Sequence, residues 1–331
     1  MVGTTHSSAL IPRAASAFSP RLESLTSLHR TEYSPKIFVE IVSNYMSKLN
    51  YSPRSMNADQ IMKTHTYQTL LSDLAVYDIR GKWFEATCLT AATLVELPYP
   101  NHPPDVKIQM AKFNWYLLYV DDMGNKIQPD LQMFQQTFFT NQKPENKVLG
   151  GFVNNLADMY RFWDPIAANC ISASGVEFVT GLLIEEEPRI QSMKISDGAT
   201  SWPNFLRVKT GGAAAFAFFL FPKSMFPDIS SYIQVVDDVA YITNHANDLL
   251  SYYKEALAGE MNNYVHARAH ATKKDIPEAL RDIADGLLAA HTRISEVLKG
   301  TAGATTYNDF MFGLLDFHFM MKRYRLGELA F

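Results

Sequence analysis

From about residue 35 to the C-terminus, apolar residues recur at intervals of three and four. Almost no stretch alternates apolar and polar side chains as a half-buried strand requires. A 3.6-residue period sustained over most of a chain leaves one way to hide the apolar side chains, as helices packed on one another. The expected fold class is therefore all-α. Helices are predicted over 37–49, 58–78, 82–96, 104–122, 130–139, 147–161, 163–184, 202–220, 229–257, 275–299 and 305–325. Breaks fall at Tyr51-Ser52-Pro53, Leu97-Pro98-Tyr99-Pro100 and Asn141 to Pro144. No fixed-period repeat and no shift of composition interrupts 35–331, which reads as a single helical domain around a shared centre.

Residues 1–34 differ. They are rich in Ser, Ala and Thr, carry Arg13, Arg21 and Arg30, and hold no acid before Glu23, so they read as a disordered N-terminal tail, with a transit peptide as the alternative. The 331 residues are 47% hydrophobic and 12% aromatic, enough for a large buried core. A net charge of −4 supplies no excess of Lys and Arg to neutralise nucleic acid or an anionic membrane, and neither is expected as a partner. The longest apolar run, Gly211 to Pro222, is shorter than the roughly 20 residues that cross a bilayer, so no membrane span is expected. Cys88 and Cys170 stand far apart without neighbouring Cys or His, which suggests neither a disulfide nor a zinc site and fits a reducing, cytoplasmic location.

Two stretches carry chemistry. The aromatic helix through Phe113 to Val120 ends in Asp121-Asp122-Met123-Gly124-Asn125, placing two carboxylates where the helix dipole is already negative. A hard cation would offset that charge: Asp121 and Asn125 are one turn apart with Asp122 beside them, and no His or Cys is present, which favours Mg²⁺. A polar helix end and turn is the bland alternative. The second stretch is Asn247-Asp248-Leu249-Leu250-Ser251-Tyr252-Tyr253-Lys254-Glu255. Asn247, Ser251 and Glu255 sit at i, i+4 and i+8, one stripe drifting by only about 80°. Their amide, hydroxyl and carboxylate oxygens suit a second Mg²⁺, and Lys254 on the same stripe is compatible with that ion if a diphosphate lies between. Asp248 points about 100° away from Asn247 and is not read as a ligand.

Together these motifs resemble the two metal motifs of class I terpene cyclases, and within them the fungal trichodiene-synthase-like sesquiterpene synthases. Phe205-Leu206-Arg207 with Gly211, and Arg323-Tyr324-Arg325-Leu326, match further family stretches, so the likeness runs from about 110 to 326. Asn125 departs from the family pattern, which has an acid there. The resemblance implies a helical bundle around a central apolar cavity and metal-dependent ionisation of a prenyl diphosphate. Farnesyl diphosphate is favoured over geranyl diphosphate on family likeness alone, and the product is a sesquiterpene hydrocarbon or alcohol.

The resemblance further implies three Mg²⁺ ions with the bound diphosphate, held by Asp121, Asn247, Ser251 and Glu255, with Asp122 and Asn125 as lesser candidates. Arg207, Lys254, Arg323 and Tyr324 would bind the diphosphate. Arg207, Thr210 and Gly211 follow one another at the family's spacing for a sensing arginine, a linker and an effector residue. Asn114, Trp115 and Phe317 are the candidate cavity residues, and the Asn114 amide keeps an alcohol product open. Related enzymes are often homodimers. Asp237-Asp238 invites a chain-elongating prenyltransferase instead, and a non-catalytic helical isoprenoid-binding protein is a further alternative. Glu185-Glu186-Glu187 reads as a solvated helix end, and His245, His266, His270 and His318 as satisfied or exposed imidazoles.

Overall fold

A computed structural model describes residues 34–331 apart from 55, 56 and 141. The tail expected over 1–34 thus lies, Ser34 excepted, outside the described residues, as does Asn141 of the third expected break.

Among the described residues there are fifteen α-helices, several short 3-10 turns and no strand. The first half runs α1 Pro35–Lys48, α2 Ala58–Met62, α3 His65–Leu74, α4 Lys82–Glu96, α5 Pro104–Met123, α6 Gln128–Thr140 and α7 Lys147–Phe162. It continues with α8 Pro165–Glu186, α9 Pro188–Gln191, α10 Trp202–Gly211 and α11 Ala213–Phe219. The chain closes with α12 Val236–Ala258, α13 Tyr264–Thr272, α14 Ile276–Val297 and α15 Ala302–Met320.

Local chemistry explains most boundaries. Asn146 caps α7 by accepting from the backbone N–H of Val148 and Leu149 at 2.9 and 3.3 Å. Pro165 opens α8 behind the cap Asp164, and Asp275 with Glu278 forms a capping box on α14. The helix expected over 58–78 is divided because the Thr64 hydroxyl accepts from Tyr67 N and starts a new helix. The one expected over 229–257 begins later, at Val236, after two 3-10 turns. Helices α9 and α13 were not anticipated: α9 is a single short turn, and α13 carries His and Arg where an apolar stripe would announce it.

The helices enclose a cleft. Helix α12 packs against α11 and α14, α4 against α5, α8 against α10 and α11, and α5 against α7, so α4, α5, α8, α10, α11, α12 and α15 all present side chains to one interior space. Helix α8 is long and apolar enough, by length and composition, to cross a membrane, although no such segment was expected. It packs against α6, α7, α10 and α11 and buries Glu185 at its end, which makes it a wall of this interior.

Candidate active site

The cleft has about 660 Å³ of space between its atoms, part of it open solvent. Its walls are apolar over Leu94, Leu117, Leu118, Phe178, Phe216 and Phe317. Asp121, Arg207, Asn247, His318 and Tyr324 supply polar groups to it. Of the residues singled out in the sequence, Asn114, Asp121, Arg207, Gly211, Asn247, Phe317 and Tyr324 line this one space.

Asn247 is held in a defined orientation. Its Nδ2 donates to Tyr324 Oη at 3.2 Å and lies 3.3 Å from His318 Nε2. His318 Nδ1 is 2.7 Å from the Leu314 carbonyl, which only accepts, so Nδ1 carries the proton and Nε2 is the acceptor. Burial lowers the His318 pKa to about 4 and keeps the ring neutral. With the amide nitrogen so committed, Asn247 Oδ1 is turned the other way, where Arg207 Nη2 reaches it at 3.5 Å. Burial raises the Tyr324 pKa to about 12, which preserves its hydroxyl proton as a donor.

Arg207 is buried and tied to α12. Its Nε donates to Asp248 Oδ1 at 2.8 Å and its Nη2 to the Asn244 carbonyl at 2.9 Å. Asp248 Oδ2 in turn accepts from His245 Nδ1 at 2.9 Å, with burial holding that imidazole below its ordinary pKa and hence neutral. Asp248 is therefore occupied with Arg207 and His245. Gly211 ends α10 beneath this group: a Cβ there would collide with Asn244 Oδ1 and stand 3.0 Å from Arg207 Nη1. The helix break itself falls at Gly212, whose φ of 59° is left-handed. Thr210 is buried, with its hydroxyl donating to the Leu206 carbonyl at 3.1 Å.

The two motifs approach each other through Arg323. Burial lowers its pKa, while Tyr324, Asp121, Asp122 and Glu255 act in the opposite direction, so this guanidinium lies in the field of carboxylates from both motifs. Ser251 and Glu255 are buried on the α12 stripe that Asn247 begins. Lys254 Nζ stands 3.2 Å from Glu255 Oε1, so this cation pairs along the helix with its neighbour.

Three sequence expectations change. Trp115 lies outside the cleft lining, in an aromatic cluster with Tyr77, Trp83, Phe84 and Tyr119, because one residue's rotation from Asn114 turns it toward α4 and the turn after α3. Asn125 is exposed in the turn after α5, which ends at Met123 and so does not carry Asn125 along the Asp121 face. Glu185 is no solvated helix end: it is 4% exposed. Burial and the nearby Asp121 charge raise its pKa to about 8 against the opposing pull of Arg207. Sequence reasoning also missed Trp83, whose Nε1 donates to Asp122 Oδ2 at 2.8 Å. His318 was missed as well, although its place beside Phe317 and shortly before Arg323 was a usable signal. Among the described residues, no three His, Cys, Asp or Glu side chains converge as a ready-made metal site.

Known proteins share this architecture. The linalool/nerolidol synthase of Streptomyces clavuligerus superposes with a TM-score of 0.60 at 12% identity, covering 81% of this chain and 98% of that one. In complex with 2-fluorogeranyl diphosphate it matches with a TM-score of 0.57 at 12% identity, over 78% of this chain and 96% of that one. The fold is that of the class I terpene synthases. More specifically, the chain belongs to the trichodiene synthase (TRI5) family, whose model matches residues 38–330. Terpene synthase BipA of Cochliobolus sativus is 34% identical over 71% of this chain and 73% of its own length. Longiborneol synthase CLM1 of Gibberella zeae is 27% identical over 91% of this chain and 83% of its own. The chain is accordingly an enzyme, a terpene synthase, rather than a non-catalytic binding protein.

Proposed function

We propose that this chain is a Mg²⁺-dependent cyclase that ionises a prenyl diphosphate and closes the resulting carbocation into a terpene, releasing diphosphate. Farnesyl diphosphate is the preferred substrate on family likeness, giving a sesquiterpene hydrocarbon or alcohol. The observation that carries this reading is that Asp121 of the first motif and Asn247 of the second line one cleft together with Arg207 and Tyr324, while most of its remaining lining is apolar. Geranyl diphosphate is the alternative substrate, supported by the 2-fluorogeranyl diphosphate complex of the Streptomyces enzyme. Residues 35–331 would form one catalytic domain, a reading supported by the family match over 38–330, and the enzyme would act in the cytoplasm.

The donors fit a hard cation. Asp121, Asn247, Ser251 and Glu255 offer oxygen donors, and His318 and Tyr324 orient Asn247 so that its oxygen faces away from them, toward a single long contact with Arg207. These four would hold Mg²⁺, with three ions implied by the family. Asp122, already accepting from Trp83, and the exposed Asn125 are weaker choices. Since, among the described residues, the acids do not gather into one cluster, diphosphate oxygens and water would supply much of the coordination. When bound, Mg²⁺ neutralises charge developing on the leaving diphosphate.

The chain's own groups do the rest. Arg207, Arg323 and Lys254 provide permanent positive charge, and Tyr324 a hydroxyl donor, where the leaving oxygen becomes anionic. The interactions that strengthen as that charge develops lower the barrier without any covalent step to the protein. Phe178, Phe216 and Phe317 turn aromatic surface toward the cleft, which stabilises a migrating cation and keeps bulk water from it.

Incubation of the full chain with Mg²⁺ and farnesyl or geranyl diphosphate should release diphosphate and a volatile terpene. No turnover with either substrate would sink the proposal. Asp121→Ala or Asn247→Ala should each lower product formation by about 100-fold or more while leaving the helical circular-dichroism spectrum intact. Wild-type activity in either variant would refute the metal assignment.

A further inference from the structure

Asn114 lines the cleft with its side chain 2% exposed, and neither its Nδ2 nor its Oδ1 has a hydrogen-bond partner among the described residues. An amide buried in this way is costly unless something polar meets it. The neighbouring polar groups are otherwise engaged. Thr243 donates to the Val239 carbonyl at 2.9 Å, and Asn247, His318 and Tyr324 bond one another. Asn114 is seven residues before Asp121 on α5, two turns along the same face, which puts it about 10 Å deeper along the helix axis. Leu117 and Leu118 lie between them on the cleft wall.

We propose that Asn114 holds a water molecule in the apolar depth of the cleft, and that this water terminates the reaction by capturing the carbocation, so that the principal product is a cyclic alcohol. The inference rests on the proposed ionisation of a prenyl diphosphate. Asn114 Oδ1 accepts a hydrogen from the water, which leaves a water lone pair directed at the substrate. Ionisation breaks the allylic C–O bond and leaves its electron pair on diphosphate. Positive charge begins near Asp121 and Arg323, far from Asn114, and reaches the depth only after ring closure has moved it along the chain. Water oxygen then forms the new C–O bond. The resulting oxonium gives up its proton to its hydrogen-bond partner, the Asn114 amide oxygen, and from there the proton passes to diphosphate or solvent when the cleft opens to release product. Depth therefore separates this outcome from an acyclic alcohol formed by early capture beside the diphosphate.

The test is turnover of farnesyl and geranyl diphosphates in heavy-oxygen water, with products resolved by mass spectrometry, together with a high-resolution crystal structure of the protein. The expected results are a cyclic alcohol carrying the heavy oxygen and an ordered water within hydrogen-bond distance of the Asn114 amide. Asn114→Leu replaces the amide with an apolar group of similar volume, which the surrounding leucines tolerate. It should shift the alcohol-to-hydrocarbon ratio about tenfold toward hydrocarbon. Asn114→Ser, which is smaller and keeps a hydroxyl, should fall between the two. Diphosphate release with only hydrocarbon or acyclic alcohol products overturns this inference alone, as does an unchanged product ratio in both variants. Absence of diphosphate release from the wild-type protein overturns the proposed reaction as well.

Discussion

At the scale of single residues, the site is built from charges that have been taken out of water and then matched. Arg207 and Asp248 meet at 2.8 Å with side chains 7% and 5% exposed. Such a pair survives desolvation because each partner has further hydrogen bonds, here to Asn244 and His245. Glu185 shows the opposite case. Burial and the Asp121 charge favour its neutral form, so its folded pKa of about 8 stands above the ordinary 4.5. Below pH 4.5 the group is protonated in both states, and its full contribution to stability is present. As pH rises toward about 8, the unfolded chain loses this proton while the folded chain keeps it, and stability falls until the folded carboxyl also ionises. Glu185→Gln should therefore flatten the decline of stability between these two pH values, read by urea denaturation across pH without divalent cations. A decline as steep as in the wild type would show that Glu185 is not responsible.

At the scale of elements, the junction of α10 and α11 decides where Arg207 sits. Gly212 adopts φ 59° between the two helices, a conformation that costs other residues about 1–2 kcal/mol. A Cβ would also stand 3.0 Å from Leu117 Cδ1 on α5, on the cleft wall. Gly212→Ala is thus expected to destabilise the fold by about 1–2 kcal/mol in chemical denaturation. A neutral result would mean that the corner repacks without strain. Helix α5 divides its labour by face: Asn114, Leu118 and Asp121 meet the cleft, while Trp115 and Tyr119 stack against each other and meet Trp83 edge-on. That aromatic cluster extends to the acidic end of α5 through the bond from Trp83 to Asp122.

At the scale of the molecule, the acids that would share metal ions lie on α5 and α12, and in the proposed reaction an anion would lie between them. Mg²⁺ and inorganic diphosphate added together should therefore raise Tm by a few degrees at concentrations well above Kd, and either alone by much less. Equal shifts from Mg²⁺ alone would indicate a preformed site and contradict this coupling. The all-α class and the course of most long helices were legible in the sequence, because the 3.6-residue period is a local property. The oxygen stripe of Asn247, Ser251 and Glu255 was legible for the same reason. Where period and burial disagree, sequence reading failed: Glu185 opens an acidic run that looks solvated, yet α8 carries it into the interior. Trp115 has the spacing of a cleft residue but turns its ring to α4 and the turn after α3.

The sequence by itself determined that the chain is helical, which stripes on α5 and α12 carry oxygen donors, and which family those motifs resemble, since each depends on residue order within a few helical turns. Only the tertiary structure decided that Asp248 is spent on Arg207, that His318 and Tyr324 turn the Asn247 amide, and that Asn114 meets no hydrogen-bond partner among the described residues. Those facts depend on which helices meet and at what rotation. That is a property of the packed core as a whole, which no local pattern encodes.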